Sequence, residues 1–172
     1  MVKESQIFIR PVELSDALEV LKWENDVENW SSSINDSPFM LWDIVRLIED
    51  LADVQKTKQA RWIICDKKTD KLIGAVDLCE IDFEKGEAII GVIVAEKQDR
   101  NKGIAFESLQ LLEFEATKLG VKRLTCAIHP ENKASLRLFE KLGFQKFGQT
   151  DDKYHCNGVY IEALLFEKWL KK

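Results

Sequence analysis

Residues 88–94, Ala88-Ile89-Ile90-Gly91-Val92-Ile93-Val94, are apolar at every position, so a strand built from them is covered on both faces and lies inside a sheet. The run passes through a polar loop, Ala95-Glu96-Lys97-Gln98-Asp99-Arg100-Asn101-Lys102-Gly103, into a helix whose Ala105, Leu109, Leu112, Ala116 and Leu119 recur every four and three residues before Gly120. Arg123-Leu124-Thr125-Cys126-Ala127-Ile128 then reads as a strand, and Asn132 as the N-cap of a helix ending at Leu142-Gly143. Strand, helix, strand, helix in that order implies parallel pairing and an α/β arrangement.

The loop between the first strand and helix of that series has the chemistry of an anion site. The opening turn of a helix leaves backbone N–H groups unpaired and partly positive, and Gly103 lets a phosphate come close to them. Arg100 and Lys102 add charge at the same spot. Gly91, inside a buried strand just ahead of the loop, marks a bulge or a point where another backbone or a ligand approaches. A loop pattern this loose identifies nothing alone; its competitor is a plain strand-to-helix turn with solvated basic residues.

The 172 residues suffice for one well-cored domain, taken as residues 1–172, and are few for two. Met1-Val2-Lys3-Glu4-Ser5-Gln6 has no apolar signal core and no run approaches a membrane span, so a soluble cytoplasmic protein is expected. Cys65, Cys79, Cys126 and Cys156 are far apart, and His129 and His155 lack ligand partners at metal spacing; free thiols and no metal are expected. Residues 16–53 carry ten acids against Lys22 and Arg46, a charge of −8 within a chain of −5. This acidity argues against nucleic acid as partner and, where it is not simply a solvated helix face, favours a cationic one.

Elsewhere, Ile7-Phe8-Ile9-Arg10-Pro11 is a short strand, and Ser15 or Asp16 caps a helix to about Asn25 with Leu14, Leu18, Leu21 and Val27 as its apolar stripe. Trp23 and Trp30 could share one wall. Leu41, Ile44, Val45, Ile48 and Leu51 give a second helix to about Gln55. Arg61 to Cys65 and Lys71 to Leu78 form a hairpin around residues 67–70. Residues 144–148 and 159–166 supply two final strands.

The glycine-bearing strand, Arg100-Asn101-Lys102-Gly103-Ile104-Ala105, and above all Asn132-Lys133-Ala134-Ser135-Leu136-Arg137-Leu138-Phe139-Glu140-Lys141-Leu142-Gly143-Phe144 resemble the GNAT superfamily of acetyl-CoA-dependent N-acetyltransferases. Ile9-Arg10-Pro11, Trp23-Glu24-Asn25-Asp26 and Gly74-Ala75-Val76-Asp77-Leu78 resemble the branch containing ribosomal-protein N-terminal and spermidine acetyltransferases. The resemblance spans residues 6–168 and implies a mixed, centrally splayed sheet of about six to seven strands flanked by about four helices, with acetyl-CoA held in the splay between the fourth and fifth strands. By the same resemblance Ile93 and Val94 offer backbone groups to the pantetheine arm, residues Arg100, Asn101, Lys102, Gly103, Ile104 and Ala105 wrap the pyrophosphate, and Asn132 and Ser135 touch the pantetheine. It allows a homodimer, which no residue here demands.

The implied chemistry is attack by a neutral primary amine, of a protein N-terminus or a polyamine-like metabolite, on the thioester carbonyl, with the Val94 N–H at the oxyanion. Glu87 is the first candidate for the base, Glu80 or Asp82 the next; the glutamate many relatives carry two residues before the glycine is Ile89 here. Many relatives place a tyrosine acid where this chain has Phe139, so Ser135 or Tyr154 is expected to protonate the leaving thiolate. Two other readings compete: a CoA-binding regulatory or interaction module that has lost catalysis, and a phosphate-loop nucleotide binder, for which the Gly-x-x-x-x-Gly-Lys-Ser/Thr signature is missing.

Overall fold

A computed structural model describes residues 5–26, 38–150, 154–156 and 159–171, with 154–156 and 159–161 described in their backbone alone. Strands β1 (Ile7–Pro11), β2 (Ala60–Asp66), β3 (Leu72–Asp82), β4 (Glu87–Val94), β5 (Arg123–Ile128), β6 (Gln145–Gln149) and β9 (Leu164–Trp169) form one sheet in the order β1-β2-β3-β4-β5-β9-β6. Strands β7 (Tyr154–Cys156) and β8 (Val159–Ile161) pair separately. The helices are α1 (Ala17–Glu24), α2 (Leu41–Leu51), α3 (Val54–Thr57), α4 (Ile104–Lys118) and α5 (Lys133–Lys141).

Every neighbour pair in the large sheet is antiparallel except β4 with β5, the pair that the strand–helix alternation requires to be parallel. The sheet separates two cores. On its back face Leu109, Leu112 and Ala116 of α4 and Phe139 of α5 pack with Ile64, Val76, Ile90 and Leu124. On its front face Ala17, Val20 and Trp23 of α1 and Ile44 and Ile48 of α2 pack with Ile63, Cys65, Ala75 and Ala95. Trp62 and Ile64 thus face one core while Ile63 and Cys65 face the other, the period-two alternation of a doubly covered strand.

Three expectations from the sequence are corrected. Helix α1 does not bury Leu14 and Leu18, which are 53% and 68% exposed; Ala17, Val20 and Trp23 point inward instead. Its phase is set by a tertiary contact: the buried carboxylate of Asp16 accepts two 2.8 Å bonds from the Arg10 guanidinium and one from the Glu13 N–H, fixing a 3-10 turn (Leu14–Asp16) ahead of the helix. The second helix stops at Leu51, because Asp53 caps the short α3 by accepting from the Lys56 N–H. The single strand expected over residues 159–166 is two, β8 and β9, since the chain leaves the β7 hairpin and joins β5 and β6, with Thr150 N–H donating to the Ala163 carbonyl at the crossing. Val27 and Trp30 lie outside the described residues.

Candidate active site

The parallel ladder between β4 and β5 is short. Glu87 pairs with Arg123, Ala88 with Leu124 and Ile89 with Thr125, and there it ends, although β4 continues five residues to Val94 and β5 three more to Ile128. Beyond Ile89 the two strands diverge, β4 staying bonded to β3 through Val94 and β5 to β9 through Ile128. The result is a wedge-shaped opening in the middle of the sheet. Gly86 points its carbonyl toward β5, where it accepts from Arg123 N–H at 3.0 Å, so by the two-residue alternation Ile90, Val92 and Val94 turn their backbone toward the opening. The carbonyl of Ile93 faces the other way, toward β3, where it lies so close to Gly74 that a Cβ there would collide with it. Val94 therefore turns its backbone toward the opening, and Ile93 turns its carbonyl toward β3.

The mouth of the wedge is built by two helix starts. After a 3-10 turn (Lys97–Asp99), Asn101 and Gly103 adopt left-handed φ values of 61° and 84°, and α4 begins at Ile104. Gly103 supplies no side-chain cap, and the first helical bond runs from Glu107 N–H to the Gly103 carbonyl, which leaves the N–H groups of Ile104, Ala105 and Phe106 at the open end. No described residue lies within 4 Å of the place a Gly103 side chain would occupy. The charges expected here are partly engaged: Arg100 turns back to donate to the carbonyls of Val94 and Ala95, both at 3.0 Å, and Lys102 pairs with Asp99 at 3.3 Å. Asp99 in turn holds Lys71 at 2.7 Å, tying the loop to the β2–β3 turn. That hydrogen bond to Lys71 is the main reason the Asp99 carboxyl sits below its ordinary range.

Across the wedge, α5 is capped by Asn132, whose side-chain oxygen accepts from Ser135 N–H at 3.0 Å. Ser135 is half-buried and shares a helix face with Phe139 one turn on. Phe139 is buried edge-to-face against Phe144, ring centres 5.0 Å apart.

The structure does not bring Glu87 to this mouth. It lies at the closed end of the wedge, bonded at 3.0 Å to Arg123, which also binds Glu167 at 2.6 Å. Asp82 is likewise occupied, capping the β3–β4 turn by accepting from the Glu84 and Lys85 N–H groups, and Glu80 is exposed beside it. Tyr154 pairs with Ile161 in the small hairpin, and its side chain lies outside the described residues. Cys79 borders the front of β4, but burial, its largest influence, pushes its thiol up to about 11, so it is protonated at neutral pH. Among the described residues no group of three His, Cys, Asp or Glu could hold a metal ion.

One cluster was missed from the sequence. Arg61 of β2 donates from Nε to Asp77 of β3 at 2.6 Å and from Nη1 to Glu24 of α1 at 2.7 Å, and Asp77 is the cross-strand partner of Gly91. The available signal was a carboxylate inside the apolar run Gly74-Ala75-Val76-Asp77-Leu78, which demands a cation nearby.

The acetyltransferase (GNAT) domain model matches residues 6–145. A protein of Bacillus licheniformis named uncharacterized N-acetyltransferase p20 is 31% identical over 94% of this chain and 91% of its own. The spermidine N-acetyltransferase of Vibrio cholerae, solved with CoA and spermine, superposes with a TM-score of 0.85 at 21% identity, covering 97% of each chain. The ribosomal-protein-S5-alanine acetyltransferase of Vibrio fischeri does so with 0.82 at 20% identity, over 98% of this chain and 96% of that one. The two solved structures share the splayed fold, while the domain match and the full-length relative decide the family. With an open β4–β5 wedge between two helix starts and this match over most of its length, the chain belongs to the GNAT family of acetyl-CoA-dependent N-acetyltransferases.

Proposed function

We propose that this enzyme transfers the acetyl group of acetyl-CoA to a primary amine, of a protein N-terminus or of a small polyamine-like metabolite, by direct attack in a ternary complex. The observation that carries the reading is the end of the β4–β5 ladder at Ile89 and Thr125, which leaves the Val92 and Val94 backbone facing a gap wide enough to separate two strands. The pantetheine arm lies along that edge, Ile104 and Ala105 N–H groups of α4 meet the pyrophosphate beside Asn101, Lys102 and Gly103, and Asn132 and Ser135 border the arm from α5. Arg100 acts indirectly, holding the Val94 and Ala95 carbonyls.

In the reaction the amine nitrogen, having lost a proton to water, attacks the thioester carbon. The C–N bond forms, the oxyanion meets the Val94 N–H, the C–S bond breaks, and CoA leaves as a thiolate that takes up a proton. Ser135, on the helix turn before Phe139, hydrogen-bonds the leaving sulfur and relays that proton from water. With a thiol pKa of about 8.5, leaving as a free thiolate at pH 7 costs only about 2 kcal/mol, so the missing tyrosine hydroxyl does not forbid turnover. Spectrophotometric release of free CoA over a panel of amines tests the proposal; CoA release with none of them overturns it. One observation favours a second reading: Phe139 is buried without a hydroxyl, as a CoA-binding module without catalysis would tolerate. Tight acetyl-CoA binding with no acetyl transfer would select that module.

A further inference from the structure

The large sheet ends in β1 on one side and in β6 on the other, and the two edges are finished differently. Strand β1 closes with Pro11, which has no N–H to offer a further strand, and its residues Ile7 to Arg10 are buried or half-buried. In β6, Gln145, Lys146, Phe147 and Gln149 are all exposed and Gly148 is half-buried. Its inner edge is bonded to β9, and among the described residues no backbone group bonds its outer edge. The ladder with β9 sets Lys146 against Phe166 and Gly148 against Leu165, so it passes over Phe147 and leaves that residue with nothing opposite it in the sheet.

An open edge is a template for another strand, and the sequence of β6 fits a copy of itself. With two copies antiparallel about Phe147, Gln145 of one faces Gln149 of the other, Lys146 faces Gly148, and the two Phe147 residues face each other. No charge meets a like charge. Moving the centre to Lys146 would set two lysines directly opposite, which destabilises a strand pair, and moving it to Gly148 would give up the aromatic pair. Phe147 is 46% exposed, and its ring lies over the Arg123 guanidinium at 5.2 Å beside that of Trp169, which is 62% exposed and 5.7 Å from the same group. The centre of the strand thus carries apolar surface that a second copy would cover.

We propose that β6 is a self-recognition edge: two copies of this chain pair antiparallel through β6 about a two-fold axis at Phe147, joining their seven-stranded sheets into one. A two-fold axis dictates the partner of every residue, and this strand meets that demand at each position, which an unrelated strand has no reason to do. One pair of short strands makes a small interface, so the dimer dissociates on dilution, with a Kd on the order of micromolar. Strands β9 and β5 separate β6 from the wedge, so pairing leaves the opening free in both copies and the inference does not depend on the catalytic reading.

The test combines sedimentation velocity over a dilution series with cysteine cross-linking. Wild-type protein should pass from dimer to monomer on dilution, and Phe147→Lys, which places two cations at the axis, should be monomeric throughout while folded by circular dichroism. Residues opposite each other in an antiparallel pair have Cα atoms about 4.5 to 5.5 Å apart, inside the range a disulfide spans. In a Cys156→Ser background Phe147→Cys should therefore give a covalent dimer on mild oxidation, seen on a non-reducing gel. Gln145→Cys should not, because its two copies stand about 13 Å apart along the strands. The background protein, whose Cys65 and Cys126 are buried, should stay monomeric on the gel. A wild type that is monomeric at every concentration, a dimer that survives Phe147→Lys, or cross-linking of Gln145→Cys as fast as Phe147→Cys overturns the proposal.

Discussion

The two halves of β4 are similar in composition and opposite in fate. From Glu87 to Ile89 the strand is bonded on both edges, and its one charged side chain is absorbed: Arg123 lies between Glu87 and Glu167 with the rings of Phe147 and Trp169 at 5.2 and 5.7 Å. From Ile90 to Val94 the edge toward β5 has no strand partner among the described residues. Unpaired backbone groups are costly, so two such strands left to themselves would close up along their length. Three features oppose closure. Strand β5 is bonded along its far edge to β9 as far as Ile128, Arg100 occupies the carbonyls of Val94 and Ala95, and the Ile93 carbonyl is pressed against Gly74 on β3. An open wedge is thus a specified structure with its own supporting residues, not a frayed ladder, and each support makes a prediction that can break the contrast.

The largest effect is expected at Gly74. A methyl group there meets the Ile93 carbonyl and the Val94 Cα, both backbone, so β3 and β4 must move apart at the open end. Gly74→Ala is expected to cost about 3 kcal/mol, the upper range for overpacking, which lowers the melting temperature of a chain this size by about 6–12 °C. A thermal melt that is unchanged would mean the open end is loose, and the contrast with the closed end would fail.

Next comes Gly103. Its φ of 84° costs a side-chain-bearing residue about 1 kcal/mol, while the space around it is open, so Gly103→Val should fold with a melting temperature only about 2–4 °C lower. The branched side chain would stand over the first N–H groups of α4. Calorimetric titration should then show CoA affinity reduced about tenfold or more, because an anion has to approach those groups closely. Unchanged affinity would remove the pyrophosphate from this helix start.

The comparison also explains what was legible beforehand. Strand β4, helix α4, strand β5 and helix α5 could be read because each is announced by its own residues: an all-apolar run, a four-and-three stripe, and the Asn132 cap, which does accept from Ser135 N–H. The phase of α1 could not, since it depends on Arg10 reaching Asp16 across a turn, and Leu14 and Leu18 are as apolar as the residues buried in their place. The break between β8 and β9 follows from pairing partners, not from composition. At the site, the loop and the glycines were visible as local patterns. The Arg61 cluster joins residues 16 and 37 positions apart, a coincidence that exists after folding alone.

A smaller effect tests the closed end. Glu87 and Arg123 are 34% and 21% exposed, and Arg123 keeps Glu167 if Glu87 is neutralised. Glu87→Gln should therefore cost less than about 1 kcal/mol and leave kcat/KM within about twofold of the wild type. A loss of about a hundredfold or more, the scale of a general base, would place the chemistry at Glu87 and invert the assignment of the two halves.

The smallest effect is expected from the tie between the loop and the β2–β3 turn. Lys71 is 47% exposed, so its 2.7 Å pair with Asp99 is screened by solvent, and Asp99→Asn should cost about 0.5 kcal/mol at pH 7. Its pH dependence is more telling than its size. The hydrogen bond to Lys71 holds the Asp99 carboxyl below its ordinary value, so the folded state binds that proton less readily than the unfolded chain does. Such a group stabilises the fold above its unfolded value of about 3.9, and the contribution fades as pH falls through the lower folded value. Melts of the wild type and the Asp99→Asn variant should differ by about 1–2 °C at pH 7 and converge below about pH 4. A difference that persists in acid would show that Asp99 holds the loop by shape rather than by charge. The open end would then owe its geometry to Gly74 and Arg100, without help from the Lys71 pair.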